Sequence, residues 1–264
     1  MAQDKTFRDV QVTSSEIVVR KIHARDLWQA LKEGFDDFTA HPSHVVFLCI
    51  IYPVLALIVT LMLIGQDLLH LVFPLVAGFT LIGPVASIGL LEISRRREAR
   101  LDVSWRSSFD FIHTSAFAPI LAVSLALVGL YLAWMYMAQL IYVGLFGATI
   151  PAGIPEFVNE VFTTRHGGAL ILYGTVLGFI FSVVALAISV VAFPLLLDRP
   201  TTAMTAVGAS IRAVNSNTLV MLLWGFIVAA LLTMGAALLL VGLAVVLPVL
   251  GHATWHLYRK LVER

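Results

Sequence analysis

The chain ends in PVLGHATWHLYRKLVER, residues 248–264, where two histidines stand four residues apart as an apolar run gives way to bases. Residues i and i+4 share one face of a helix, so His252 and His256 have the spacing of a metal pair and are the candidate metal ligands of the chain. The residue after His252 is Ala253, where a zinc-peptidase motif would place the glutamate that acts as base. The same tail also reads as an anchor, in which Trp255, Tyr258, Arg259 and Lys260 form an aromatic and basic belt at the lipid headgroups.

Other chemistry is sparse. There is no GxSxG, no Walker-type glycine loop and no acid pair beside a nucleophile. Cys49 is the only cysteine, which excludes an intramolecular disulfide and any CxxC site. His23, His41, His44, His113, His252 and His256 fall at or beyond one set of ends of the apolar runs, and His70 and His166 at the other. No imidazoles face each other from within the runs, as a haem-bearing oxidase core would need. The reading is a non-enzyme with no catalytic residues, no cofactor and no nucleic-acid partner.

The elements that must position these residues are set by composition. Of 264 residues, 59% are hydrophobic and 12% charged, against about 25% charged in globular chains. The charge is also unevenly placed: none falls between Phe38 and Gln66, between Phe111 and Pro155, or between Ala213 and Tyr258. About 20 helical residues cross a bilayer core, so each stretch holds at least one span. The spacing predicts an all-α polytopic membrane protein. Its polar tail covers 1–23, an amphipathic cytoplasmic helix 24–43, and a six-helix transmembrane domain 44–264. The spans run over about 45–65, 71–91, 116–146, 169–197, 218–233 and 235–256, paired as three hairpins. The split of 218–256 near Thr233 is the softest of these boundaries.

Orientation follows from the bases. Residues 1–43 hold six Lys or Arg, 92–110 five, 198–217 two and 253–264 three, while Arg165 alone lies on the other side. By the positive-inside rule both termini are cytoplasmic, and an odd number of spans would strand the Arg259–Lys260 tail outside. Residues 1–43 lack an apolar region followed by a small-residue cleavage site, so no cleavable signal peptide is expected. All acids lie in the flanks, which argues against a proton relay at mid-membrane.

Each hairpin is preceded by a related segment: LWQALKEGFDDFTAHPSH, VSWRSSFDFIHTSAFAP and AMTAVGASIRAVNSNTLVM. Phe35 and Phe38 align with Phe109 and Ile112, then with Ile211 and Val214, and Leu27, Leu31, Phe35 and Phe38 form an apolar stripe. Such segments are expected to lie in the membrane plane on the cytoplasmic side. Gly174 and Gly178 form a small-xxx-small pair for helix packing. Arg95, Arg96, Arg97 and Arg100 are expected to make a dense basic loop suited to anionic headgroups or an acidic partner.

The stretches VRKIHARDLWQALKEGFDDFTAHPSH (19–44), GFTLIGPVASIGLLEISRRREA (78–99), FPLLLDRP (193–200) and PVLGHATWHLYRKLV (248–262) together resemble the DUF2189 family of bacterial, mainly proteobacterial, integral membrane proteins. The resemblance implies a multi-pass inner-membrane protein. The family has no established activity, so it assigns no catalytic role. The leading expectation is a scaffold or accessory subunit that contacts lipid and either a membrane-protein partner or a second copy of itself. A channel or facilitator for a small neutral or anionic solute is the alternative, and a metal- or haem-handling protein the weaker one.

Overall fold

The computed structural model describes residues 17–40, 57, 61, 69–104, 106–147, 153–237 and 242–263. The expected first span, 45–65, lies outside the described residues apart from Leu57 and Leu61, as do His41, His44 and Cys49. The rest is helical: α1 (Ala24–Ala40), α2 (Val72–Ala86), α3 (Ile88–Glu98), α4 (Phe117–Phe146), α5 (Ile154–Thr163), α6 (Arg165–Ser189), α7 (Ala192–Asp198), α8 (Ala203–Ser216), α9 (Thr218–Ala237) and α10 (Leu243–Leu261). Short 3-10 turns cover Leu69–Leu71 and Ser107–His113.

Among the described residues, three stretches are long and apolar enough to cross a bilayer: Phe117–Phe146, Arg165–Asp198 and Thr218–Ala237. At 1.5 Å per residue α4 is about 45 Å long, well over a 30 Å core, so it tilts or projects. It buries one stripe, Ile120, Val123, Ser124, Leu127, Trp134, Ala138 and Tyr142, and leaves Leu121, Leu125, Leu132 and Tyr136 outward. On α6 and α9, Leu172 (59%), Phe179 (61%) and Phe226 (69%) are likewise exposed. Apolar side chains on all faces of a helix suit hydrocarbon as the surrounding solvent.

Prolines set the breaks. A proline in a helix removes one amide donor and crowds the carbonyl four residues back. Pro194 therefore opposes Val190, and there the 165–198 stretch divides into α6 and α7. The Val191 amide is taken instead by the Ser210 hydroxyl of α8 at 3.1 Å. Pro84 lies one turn before the joint at Ser87, whose hydroxyl bonds the Pro84 carbonyl at 2.8 Å. The helical path of the expected 71–91 span thus bends and runs on to Glu98. The basic stretch is the end of a helix, where arginine favours the exposed carbonyls. Arg100, with φ 55°, closes α3. The Arg100 amide bonds the Arg97 carbonyl and the Leu101 amide that of Arg96, the double bond pattern of a Schellman stop.

The three expected amphipathic segments differ in form. The first is the 17-residue α1, the second a seven-residue 3-10 turn, the third the 14-residue α8. α1 buries Leu27, Ala30, Gly34 and Asp37 against α10. Offset by one residue, Trp28 and Phe35 face out, with Leu31 and Phe38 half-buried beside them. At the polar end, Arg20 donates to the Leu261 carbonyl and Glu263 to that of Val18, joining residues 17–22 to the end of the chain. Asn217 fastens this segment: its side chain accepts from the Ile22 amide at 2.8 Å and donates to the Arg20 carbonyl at 3.0 Å.

α1 and α10 meet backbone to backbone. A Cβ on Gly34 would stand 2.6 Å from the Ala253 nitrogen and 2.7 Å from the Val249 oxygen. Neither atom yields without moving a helix. Gly178 faces the Trp134 ring, whereas Gly174 has open space around it. Gly34→Ala is therefore expected to lower the thermal unfolding midpoint in detergent, with a loss of about 1–3 kcal/mol typical of overpacking. Gly174→Ala should leave the midpoint unchanged or slightly raised.

Candidate functional site

The close approach at Gly34 sets up a polar cluster that joins three helices, because Asp37 lies one turn further along α1 and His256 three residues beyond Ala253. Asp37 is 6% exposed. Its carboxylate accepts from Arg97 of α3 at 2.5 Å, from Ser94 of α3 at 2.5 Å, and from Nε2 of His256 at 2.9 Å. Arg97 also donates to the Asp36 carbonyl at 3.0 Å. Nδ1 of His252 lies 2.8 Å from the Ser94 oxygen. The single hydroxyl proton is committed to Asp37, so His252 must be the donor in that contact. Glu33 extends the chain of contacts, lying 3.5 Å from Nδ1 of His256 and 3.1 Å from Nζ of Lys260.

Electrostatics follow from this geometry. Burial alone would raise the Asp37 pKa, but the hydrogen bonds from His256 and Ser94 and the nearby imidazole charges outweigh it. The carboxyl is held below its ordinary value of 3.8. Serine, histidine and aspartate meet here in an order unlike that of a nucleophilic triad. In a triad the histidine accepts the hydroxyl proton; here the carboxylate accepts it and the histidine donates. Ser94 is also buried, at 1% exposure. The cluster binds helices together.

A second cluster centres on Arg259. Its guanidinium donates twice to Asp198 at 2.8 and 2.9 Å and once to Glu98 at 2.9 Å. It also lies 4.7 Å from the Trp255 ring centre and 5.5 Å from that of Tyr258. Trp255 donates to Glu98 at 2.9 Å and Tyr258 to Asp198 at 2.7 Å. Burial, and then the charge of Asp198, push the Tyr258 hydroxyl strongly up. Burial works against the Arg259 charge, but Glu98 and Asp198 more than offset it, and the pKa rises. A planar donor fork on two carboxylates, with aromatic faces beside it, is a role lysine could not fill.

The sequence-derived candidates are thus placed as follows. His252 and His256 share a face of α10, one turned to Ser94 and the other to Asp37 and Glu33. Among the described residues, no three His, Cys, Asp or Glu side chains converge as a metal site. Trp255 and Tyr258 are buried among carboxylates. Arg95 and Arg96 reach Glu92, Arg96 also reaches Asp110, and Arg97 reaches Asp37. Lys260 pairs with Glu33, and Arg100 is exposed. The sequence reading did not single out Asp37, Glu92, Ser94, Glu98, Asp198 or Asn217. Their only signal was placement, since each lies in the polar segments flanking the apolar runs. His70, expected outside, hydrogen-bonds Gln139 of α4 at 2.5 Å and stacks on Tyr142.

Helices exposing leucine and phenylalanine along their length, tied at one end by a buried polar clamp, define an integral membrane protein. Residues 72–198, α2 through α7, match the family model described as "Predicted integral membrane protein (DUF2189)". The match includes the GPVASIGLLEISRRRE motif, while α1 and the closing α10 motif lie beyond it. No curated protein and no solved structure matches the chain.

The clamp makes a signed prediction for pH. A carboxyl whose folded pKa is depressed contributes stability above its unfolded pKa and loses it as pH falls through the folded value. Asp37→Asn should cost about 1–3 kcal/mol at neutral pH, because it removes the charge that the buried Ser94 and the largely buried His256 bond, while Arg97, 37% exposed, keeps water and the Asp36 carbonyl. The gap to the wild type should narrow below pH 3.8, as read from unfolding midpoints in detergent across a pH series.

Proposed function

We propose that this protein is a non-enzymatic scaffold or accessory subunit of a membrane complex, seated in the bacterial inner membrane with both termini in the cytoplasm. The observation that carries the reading is how the polar groups of the apolar helices are used. Ser124 donates to the Ile120 carbonyl at 2.8 Å, Ser189 to Ala185 at 2.6 Å and Thr233 to Ala229 at 2.8 Å, and Gln139 bonds His70. Hydroxyls turned back to their own helix offer a permeating solute no polar path, which favours a scaffold over the channel alternative.

The outer surface supports the same reading. Only 28%, 33% and 17% of the most apolar windows of Phe117–Phe146, Arg165–Asp198 and Thr218–Ala237 are buried within the chain. The remaining surface is free for lipid and for helices of a partner or a second copy. Two arguments favour an even number of crossings and a cytoplasmic clamp. The bases are strongly biased to one side, and residues 17–22 are joined to 261–263 beside the α3 arginines. Trp28 and Phe35, exposed on α1, suit a helix lying along the membrane surface.

The test is purification from native membranes in a mild detergent at low ionic strength. A stoichiometric partner, or a discrete homo-oligomer by light scattering, is the expected result. A monodisperse monomer recovered alone under several mild conditions would overturn the proposal.

A further inference from the structure

We propose that the cleft at the start of α1 is a binding site for a phosphate-bearing anion, either the headgroup of an anionic lipid or a small soluble phosphate compound. The cleft has a volume of about 370 Å³ and is lined by Arg20, Lys21, Ile22, His23, Arg25, Asp26, Gln29, Arg259 and Lys260. That is the low end of the size range of small-molecule sites. Five of these side chains are permanent cations and one is a carboxylate.

The charges divide into two kinds. Arg20 pairs with Glu263, Arg259 with Asp198 and Glu98, and Lys260 with Glu33. These form a basic wall held in place by the protein's own acids. Lys21 and Arg25 are exposed, and among the described residues neither has an ion-pair partner. The lone carboxylate, Asp26, is turned back to accept from the His23 amide at 2.7 Å and lies 3.8 Å from that imidazole. Asn217 takes the Ile22 amide. The amides of Arg20, Ile22 and His23 are therefore committed within the fold, and the charged side chains carry the recognition. A phosphate oxygen accepting from the Arg25 fork and from Lys21 would make the charge-assisted bonds that such groups favour.

The concavity does not depend on loop placement. Its floor is residues 20–22, joined to Leu261 on one side and to Asn217 on the other, and its wall is the last turn of α10. Binding would therefore bear on the junction between the first and last described segments of the chain, beside Arg259 of the clamp.

The experiment uses the full-length protein in nanodiscs of phosphatidylcholine. One arm titrates inorganic pyrophosphate by calorimetry. The other exchanges phosphatidylglycerol into the discs and counts lipids retained on the protein by native mass spectrometry. Saturable binding in either arm is expected, and the arm that responds identifies the source of the phosphate. Lys21→Gln with Arg25→Gln should weaken that binding roughly tenfold or more. Lys32→Gln with Arg100→Gln removes as many exposed charges at the same end but outside the cleft, and should change it little. Both pairs are exposed, so unaltered unfolding midpoints are expected as a check on folding. Absence of saturable binding in both arms, or equal weakening by the two pairs, would overturn the proposal. Neither outcome bears on whether the protein has a membrane partner.

Discussion

The carboxylate of Asp37 is the group around which the polar end is organised. An ionised acid removed from water is costly unless charge and hydrogen bonds replace its solvation, and here replacement comes from α3 and α10. Arg97 neutralises one oxygen; Ser94 and His256 satisfy the other. Each donor is itself fixed by a neighbour, so three helices distant in sequence are held in one register. The glycine at position 34 is a precondition, since a side chain there would keep the carboxylate out of reach of His256.

The molecule divides its labour along its length. In the apolar portion, packing is carried by one stripe per helix, with Trp134 against Phe181 and Gly178 as an example, and the other faces have no internal partner. At the polar end the buried and half-buried charges of the clamp are paired within the chain, through Arg97 on Asp37, Arg259 on Asp198 and Glu98, and Arg96 on Asp110. Directional bonds set the geometry where water and headgroups would otherwise compete, and hydrocarbon is left to contain the rest.

Much of this architecture was legible in the sequence. The apolar run at 116–146 forms the helix α4, Phe117–Phe146, because a long run without a charge or turn signal offers the chain no place to break. The run beginning at 218 is likewise helical, as α9, and continues to Ala237, past the expected break near Thr233. Where the sequence misled was at charges, since RRRE after an apolar run reads as a loop, whereas its arginines find Glu92, Asp110 and Asp37 and the helix persists to Glu98. The break between α6 and α7 falls four residues before Pro194, and the Val191 amide beside it bonds Ser210 of α8, a contact that the local sequence does not show. Spacing drew notice to His252 and His256, but their partners Ser94 and Asp37 lie 158 and 219 residues away. No local pattern encodes a contact of that separation.

The seam between Val19 and Val262 has a consequence for synthesis. A ribosome releases α1 long before it makes α10, so the first amphipathic helix waits through most of translation with Asp37 lacking its histidine and Gly34 lacking its seat. The clamp can close only when α10 has been made. Consolidation of the polar end therefore awaits the synthesis of α10, and a product cut short before Leu250 would leave Asp37 without His256 and Gly34 without its neighbour Ala253.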